Sequence, residues 1–396
     1  MISVEEAQAR VCGGLSVLPH ETVSLMDAAG RVLAEPIVAR RSQPPAAVSA
    51  MDGYAVRAAD LASVPVTLTM IGAVPAGGMF EGVVRQGECT RIFTGAPLPD
   101  GADTVVIQED TDANGNQITM KEAEPLGRHI RKAGLDFGEG DTRLGAGTML
   151  SPRKLALAAA MNHPWLKVVR RPRVAILATG DEIVFPGEPI GASQIVASTS
   201  TSLAGFVAAN GGEPVLLGVA QDTIESLRKA AAAARDADVL VTIGGASVGE
   251  HDLVQTALKQ EGLEVDFWKI AMRPGKPLMV GKLGKSQVLG LPGNPVSSLV
   301  CAVLFLRPLL YALQGRADGV PQATNMILGA GLPANGSRQD YMRARFTENG
   351  LVPFSVQDSS MLTAMAEADG LIVRPPNAPA TTPDEVVPVL PLDGLL

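Results

Sequence analysis

A chain of 396 residues is long enough for two to four domains of ordinary size and a substantial core. Its 33 basic and 41 acidic residues give 33 − 41 = −8, which argues against a general nucleic-acid or anionic-membrane surface and leaves room for a small phosphate ligand met by local cations. Cys12, Cys89 and Cys301 are odd in number and widely spaced with no Cys-x-x-Cys pair, so neither a disulfide framework nor a thiolate zinc site is indicated and a reducing compartment fits.

In chain order, Met1-Ile-Ser-Val-Glu-Glu has no basic region followed by an apolar core, so no signal peptide is expected and the reading is a soluble cytoplasmic protein. Ser3 with Glu6 forms a capping box for a first helix running toward Gly13, and residues 26–33 read as a second short helix. From about residue 46 short apolar runs are broken by Pro65, Gly72, Pro75 and Gly77-Gly78, the texture of a β-rich unit continuing to about residue 140. Residues 153–162 return to helix. The expected division is a discontinuous helical domain at 1–45 and 141–171, an inserted β-rich domain at 46–140, an α/β domain at 172–316 and a C-terminal β domain at 317–396. In the α/β part, strands at 173–178, 214–219, 239–243, 265–270 and 287–291 alternate with helices following Ser198, Asp222 (a capping box with Glu225), Asp252 and Asn294. Such alternation predicts right-handed crossovers and a mostly parallel sheet covered on both faces. The longest apolar stretch, 296–313, contains Ser297, Ser298, Arg307 and Pro308 and follows a capped start, so a buried core helix is expected rather than a membrane span.

Chemistry concentrates in loops after these strands. Asp238-Val-Leu-Val-Thr-Ile-Gly-Gly-Ala-Ser-Val-Gly-Glu-His-Asp runs from a strand through a glycine turn toward a helix, the arrangement that aims backbone N–H groups at an anion. Asp252 at its end can cap that helix or reach a cation beside a phosphate. Thr179-Gly-Asp-Glu is a second glycine turn carrying acids, and Pro292-Gly-Asn-Pro is a third loop, with Asn294 as helix cap and Pro295 at the first helical position. Ligands of open α/β sheets sit outside the carboxyl ends of strands, so the loops suggest one shared crevice. Arg273 and Lys276 stand on a proline-stiffened turn that suits a tetrahedral oxyanion, although a solvated basic turn has the same appearance. The four histidines form no helical zinc pair, so a metal would be oxygen-bound, with magnesium the natural candidate.

Six ordered motifs, Ser49-Ala-Met-Asp-Gly-Tyr-Ala-Val, Ile92-Phe-Thr-Gly-Ala-Pro, Ala178-Thr-Gly-Asp-Glu, Gly244-Gly-Ala-Ser-Val-Gly-Glu-His-Asp, Pro274-Gly-Lys-Pro and Gly290-Leu-Pro-Gly-Asn-Pro-Val-Ser, resemble the signatures of the MoeA family of molybdopterin molybdenumtransferases, which includes the gephyrin E domain. The resemblance runs to about residue 370. It implies a multidomain α/β fold, with a helical domain interrupted by a β-rich domain, a MogA-like α/β domain and a C-terminal β domain, assembled as a homodimer. It also implies insertion of molybdate into adenylylated molybdopterin, with Mg2+-dependent hydrolysis of the adenylate and release of AMP and molybdenum cofactor. By matched motif position, Glu182 and Asp252 would face the magnesium and the adenylate phosphate, and Gly244, Gly245, Ser247 and Gly249 would form the phosphate loop. Pro292, Gly293, Asn294 and Pro295 would shape the pterin-side wall. Arg273, Lys276, Arg343 and Ser359 would face molybdate, and Asp52, Thr94 and Asp136 would enter the site of the other subunit. A MogA-type adenylyltransferase and apo-molybdoenzymes are the implied partners. Arg273 where many members have Lys, Ala197 and Thr199 where Asp and Asn are frequent, and Leu135 in place of an acid allow a paralogue specialised for tungstate or for a particular downstream enzyme; separately, the isolated MogA-like domain suggests a molybdopterin adenylyltransferase, and gephyrin a non-catalytic carrier or scaffold.

Overall fold

The computed structural model describes residues 1–245 and 253–396, apart from the side chain of Trp268; Ser247, Gly249 and Asp252 lie outside the described residues. The chain forms two compact units, one of Met1–Glu21, Gly30–Ala34 and Val168–Leu396, the other of Thr22–Ala29 and Glu35–Lys167. The two helices at the ends of the expected discontinuous helical domain are thereby divided, Val4–Cys12 falling in the first unit and Pro152–Ala160 in the second.

The first unit is built on a six-stranded sheet in the order Glu213–Ala220, Arg173–Thr179, Val239–Ile243, Ser286–Leu291, Pro277–Leu283 and Leu263–Lys269. The first four strands are parallel, while Pro277–Leu283 runs antiparallel to both of its neighbours. Sequence reading found five of the strands and missed Pro277–Leu283. Pro274 and Pro277 read as a rigid turn, yet Pro277 opens the strand, a position where a missing N–H is tolerated. A two-residue turn at Gly284 (φ +59°) and Lys285 then returns the chain. The central strands are apolar on both faces because both are covered. Val174, Ile176, Val239, Val241 and Leu289 face a large core that includes the Pro295–Leu313 helix and Val4, Ala7 and Val11 of the first helix; Ala175, Leu177, Leu240 and Val288 face helices Ile224–Ala233 and Leu253–Gln260. From Arg173–Thr179 the chain crosses to Glu213–Ala220 on one side and then to Val239–Ile243 on the other, so the strand order reverses there.

The Pro295–Leu313 segment passes for a membrane span by length and composition but is 89% buried within the fold. Pro308 removes a helical donor, and the helix widens over Ala302–Leu306 so that Arg307 N–H reaches Ala302 O. A second six-stranded sheet closes the unit: Met272–Arg273, Gln339–Thr347, Gly370–Arg374, Val386–Pro391 and Thr324–Ile327 in order, with Gly350–Pro353 paired to Gln339–Thr347. The turn after Met272–Arg273 therefore links the two sheets.

The other unit carries a six-stranded sheet, Thr104–Ile107, Gly53–Val56, Glu88–Ile92, Val66–Val74, Gln117–Met120 and Thr111–Asn114, with buried clusters around Tyr54, Leu68 and Ile118 and around Val74, Ile92 and Val105. The helix expected at 26–33 shrinks to one 3-10 turn, Met26–Ala28: Ala29 at ψ 128° leaves helical geometry, and Gly30 follows at φ +71°.

Candidate active site

A cavity of about 680 Å³ opens at the carboxyl ends of the parallel strands, where their order reverses. Its wall includes Thr179 and Glu182 after one strand, Gly244 and Gly245 after the next, and Pro292, Gly293, Asn294 and Pro295 after the third. Close approach of these strand ends dictates glycine. A Cβ on Gly244 (φ +88°) would stand 3.1 Å from Thr179 O, and one on Gly245 (φ +63°) would stand 2.1 Å from Val254 Cγ2.

Two helices begin at this cavity with their first N–H groups unmet by a side-chain acceptor from the cap position. Helix Ser198–Ala209 starts after Ala197, which carries no acceptor, and Ser198, Thr199 and Ser200 of its first turn line the wall. Helix Pro295–Leu313 starts after Asn294, whose side chain makes no capping bond; instead Asn294 Nδ2 donates to Ser359 Oγ at 2.8 Å. Asn294 is thus a cap by position only, and its amide binds the C-terminal part of the unit to the cavity. The helix expected after Asp222 is likewise capped one residue later, by Thr223, which accepts from Ser226 N at 3.2 Å.

That displacement frees Asp222 for a different neighbourhood. Its N–H donates to Asp181 Oδ1 at 3.1 Å, and its carboxyl is pushed above the usual range by partial burial and by the charges of Asp181 and Glu182. Glu182 folds back over Gly180, whose φ of +137° leaves no room for a side chain: a Cβ there would lie 2.6 Å from Glu182 Oε2. The sequence places Asp181 and Glu182 together on an acidic turn but reads Asp222 only as a helix cap, so its approach to them was missed. Among the described residues no group of three or more acidic, Cys or His side chains is arranged to hold a metal ion.

The loop at residues 357–361 carries Ser359 to Asn294 and Ser360 to the cavity wall. Arg343 fixes this loop from beneath. It is 2% exposed, its Nη1 donates to Met361 O at 3.0 Å and its Nη2 to Asp358 O at 2.9 Å. The guanidinium expected to face an oxyanion is therefore turned inward onto carbonyls, and burial lowers its affinity for its proton. Arg273 and Lys276 are exposed on the linking turn, with Pro277 reaching the cavity wall; Arg273 pairs with Asp340, which is buried.

In the other unit, Asp52 and Thr94 meet directly. Asp52 Oδ1 accepts from Thr94 N at 2.7 Å and from Thr94 Oγ1 at 2.8 Å, which with the nearby Arg91 charge holds the carboxyl below its usual range. Arg91 lies over the rings of Tyr54 and Phe93. Asp136 is exposed, and its backbone N–H donates to Gln43 O at 3.0 Å.

Residues 2–162 match the family profile described as MoeA N-terminal region (domain I and II), residues 175–312 that of a probable molybdopterin binding domain, and residues 325–392 that of MoeA C-terminal region (domain IV). The chain is 36% identical over 369 residues to the molybdopterin molybdenumtransferase of a Nostoc species, covering 90% of this chain and 85% of the relative. It is 34% identical to that of Haemophilus influenzae over the full length of both. Two solved structures of the molybdopterin biosynthesis MoeA protein of Pyrococcus horikoshii superpose with TM-scores of 0.86, at 32% and 26% identity; they cover 99% and 98% of this chain and 99% of their own lengths. The chain belongs to the molybdopterin molybdenumtransferase (MoeA) family and is a transferase of molybdenum cofactor biosynthesis.

Proposed function

We propose that the chain inserts molybdate into adenylylated molybdopterin and hydrolyses the adenylate in a Mg2+-dependent step, releasing AMP and molybdenum cofactor. The observation that carries this reading is the convergence of two helix N-termini and the Thr179, Gly244 and Gly293 strand ends on one 680 Å³ cavity. The positive ends of the two helix dipoles suit the phosphate of an adenylate. Glu182 brings a carboxylate to the cavity wall, where it suits a divalent cation beside a phosphate. Magnesium needs few protein carboxylates when substrate phosphate supplies the remainder; Glu182 would hold it together with Asp252, and when bound it supplies charge neutralisation at the phosphoryl group.

The other roles fall to the chain itself. Pro292, Gly293, Asn294 and Pro295 form the wall beside the pterin. Arg273 and Lys276 offset the repulsion between two anions that must approach each other, so that the pterin thiols meet molybdate without a covalent nucleophile from the protein. Arg343 positions the loop bearing Ser359. Asp52, held ionised by Thr94, and Asp136 serve the site from a second copy in a homodimer. The chain works in the cytoplasm, receiving its substrate from a MogA-type adenylyltransferase and passing its product to apo-molybdoenzymes.

The test supplies purified protein with adenylylated molybdopterin, magnesium and either molybdate or tungstate, and follows AMP release together with activation of an apo-molybdoenzyme. Molybdate-dependent AMP release, reduced about 100-fold or more in Glu182→Ala, is the expected result. Stronger turnover with tungstate would replace the substrate assignment, and adenylate binding without turnover under either oxyanion would leave a carrier.

A further inference from the structure

Asp340 is a carboxylate almost without access to water. Its side chain is 4% exposed, and it forms an ion pair with the guanidinium of Arg273, which is 58% exposed. Backbone register fixes this pairing: Met272–Arg273 runs parallel to Gln339–Thr347 with Arg273 level with Asp340. On the other flank, antiparallel register sets Arg374 level with Asp340. Arg374 is 3% exposed, sends Nη2 to the carbonyls of Pro333 and Pro379, and has no hydrogen-bond partner for its Nε. Residues level on adjacent strands project to the same face, so Asp340 stands in a row between an exposed arginine and a buried one.

This arrangement has two effects on the exposed cation. It fixes Arg273 on the turn that continues to Lys276 and the cavity-lining Pro277. It also answers part of the Arg273 charge before any ligand arrives, so an incoming oxyanion meets a cation already shared. A buried carboxylate that lost its cation outright would be strongly disfavoured. Arg374 stands level with Asp340 on the other flank, but its guanidinium is held by the Pro333 and Pro379 carbonyls, which leaves Arg273 as the recorded ion-pair partner of Asp340 among the described residues.

We infer that Asp340 is a positioning residue for oxyanion capture, which holds Arg273 in place and weakens its hold on the anion so that the anion can be passed on. The inference rests on the reading of the Arg273–Lys276 turn as an oxyanion contact. Calorimetric titration of the full chain with sodium molybdate tests it, using wild type, Asp340→Asn, Arg273→Ala and the double variant. Asp340→Asn keeps the shape and an acceptor oxygen but loses the charge, and binds molybdate about 3- to 10-fold more tightly than wild type. The gain disappears in the double variant. In the activity assay the same substitution lowers the molybdate KM without raising kcat. A merely structural Asp340 gives the opposite pattern: a lower melting temperature with unchanged or weaker molybdate binding, which overturns the proposal. Should the amide prevent folding, Asp340→Ser removes the same charge with a smaller side chain and carries the same expectation. If wild type binds no molybdate, or Arg273→Ala binds it as wild type does, the oxyanion reading of the turn falls and this inference with it. Normal loss in Arg273→Ala beside unchanged affinity in Asp340→Asn removes the Asp340 role alone.

Discussion

Asp52 commits one oxygen and keeps the other. Both hydrogen bonds from Thr94 fall on Oδ1, so the second oxygen of the carboxylate takes no part in this contact. The Thr94 backbone N–H is the largest cause of the lowered Asp52 affinity for protons, followed by the Thr94 hydroxyl. Thr94→Val removes the hydroxyl and leaves the N–H. Losing a donor makes the carboxylate harder to ionise, so more alkaline solution is needed to form it and the acid limb of the pH–rate profile moves to higher pH. The plateau above that limb falls by less than about tenfold, the worth of one neutral hydrogen bond. A limb that stays in place would show that Asp52 does not govern it. At this scale the sequence revealed motifs more readily than neighbours. Asp52 and Thr94 were distinguished by family resemblance, because Asp-Gly and Gly-x-Pro are also ordinary turn chemistry. Asp222 read as a helix cap because Glu225 follows at the right spacing, yet Thr223 occupies that seat, and the contact with Asp181 spans 41 residues that no local pattern connects.

The loops at strand ends were legible as elements because each pairs an apolar run with an immediate glycine, and their meeting in one cavity follows from parallel strands ending on the same edge of the sheet. Gly245 shows how narrow that meeting is. Gly245→Ala forces a non-glycine residue to φ +63° and drives a Cβ to within 2.1 Å of Val254 Cγ2, at a combined cost of about 2–4 kcal/mol. Thermal denaturation should show the loss, and adding Val254→Ala should recover part of it. An unchanged melting temperature in the single variant would contradict the packing. Asn294 marks the boundary of what an element reveals about itself. Asn-Pro is a complete helix start on local grounds, but the Asn294 amide reaches Ser359, 65 residues away. The Pro277–Leu283 strand was hidden for the converse reason, Pro274 and Pro277 signalling a turn more loudly than its apolar residues signalled pairing.

Across the whole first unit, alternating strands and helices announced an α/β sheet, and β texture announced a second sheet, but nothing in their periodicities said that both share a core. Tyr341, Met365, Leu371, Leu390 and Leu392 join the cluster that surrounds the Pro295–Leu313 helix. A fragment of residues 172–316 lacks all five, along with Val4, Ala7 and Val11. It should self-associate and bind ANS, as judged by gel filtration and dye fluorescence; a monomeric fragment melting as cooperatively as the full chain would refute the shared core. The same packing has a consequence in time. During synthesis the long apolar Pro295–Leu313 helix is made before residues that help cover it, and from Leu313 to Leu392 is 392 − 313 = 79 residues. At about 5–20 residues per second the ribosome needs roughly 4–16 s to deliver them. Throughout that interval a segment with the length and hydropathy of a membrane span lacks part of its cover, and the yield of native protein depends on how well the nascent chain is shielded until its last strands emerge.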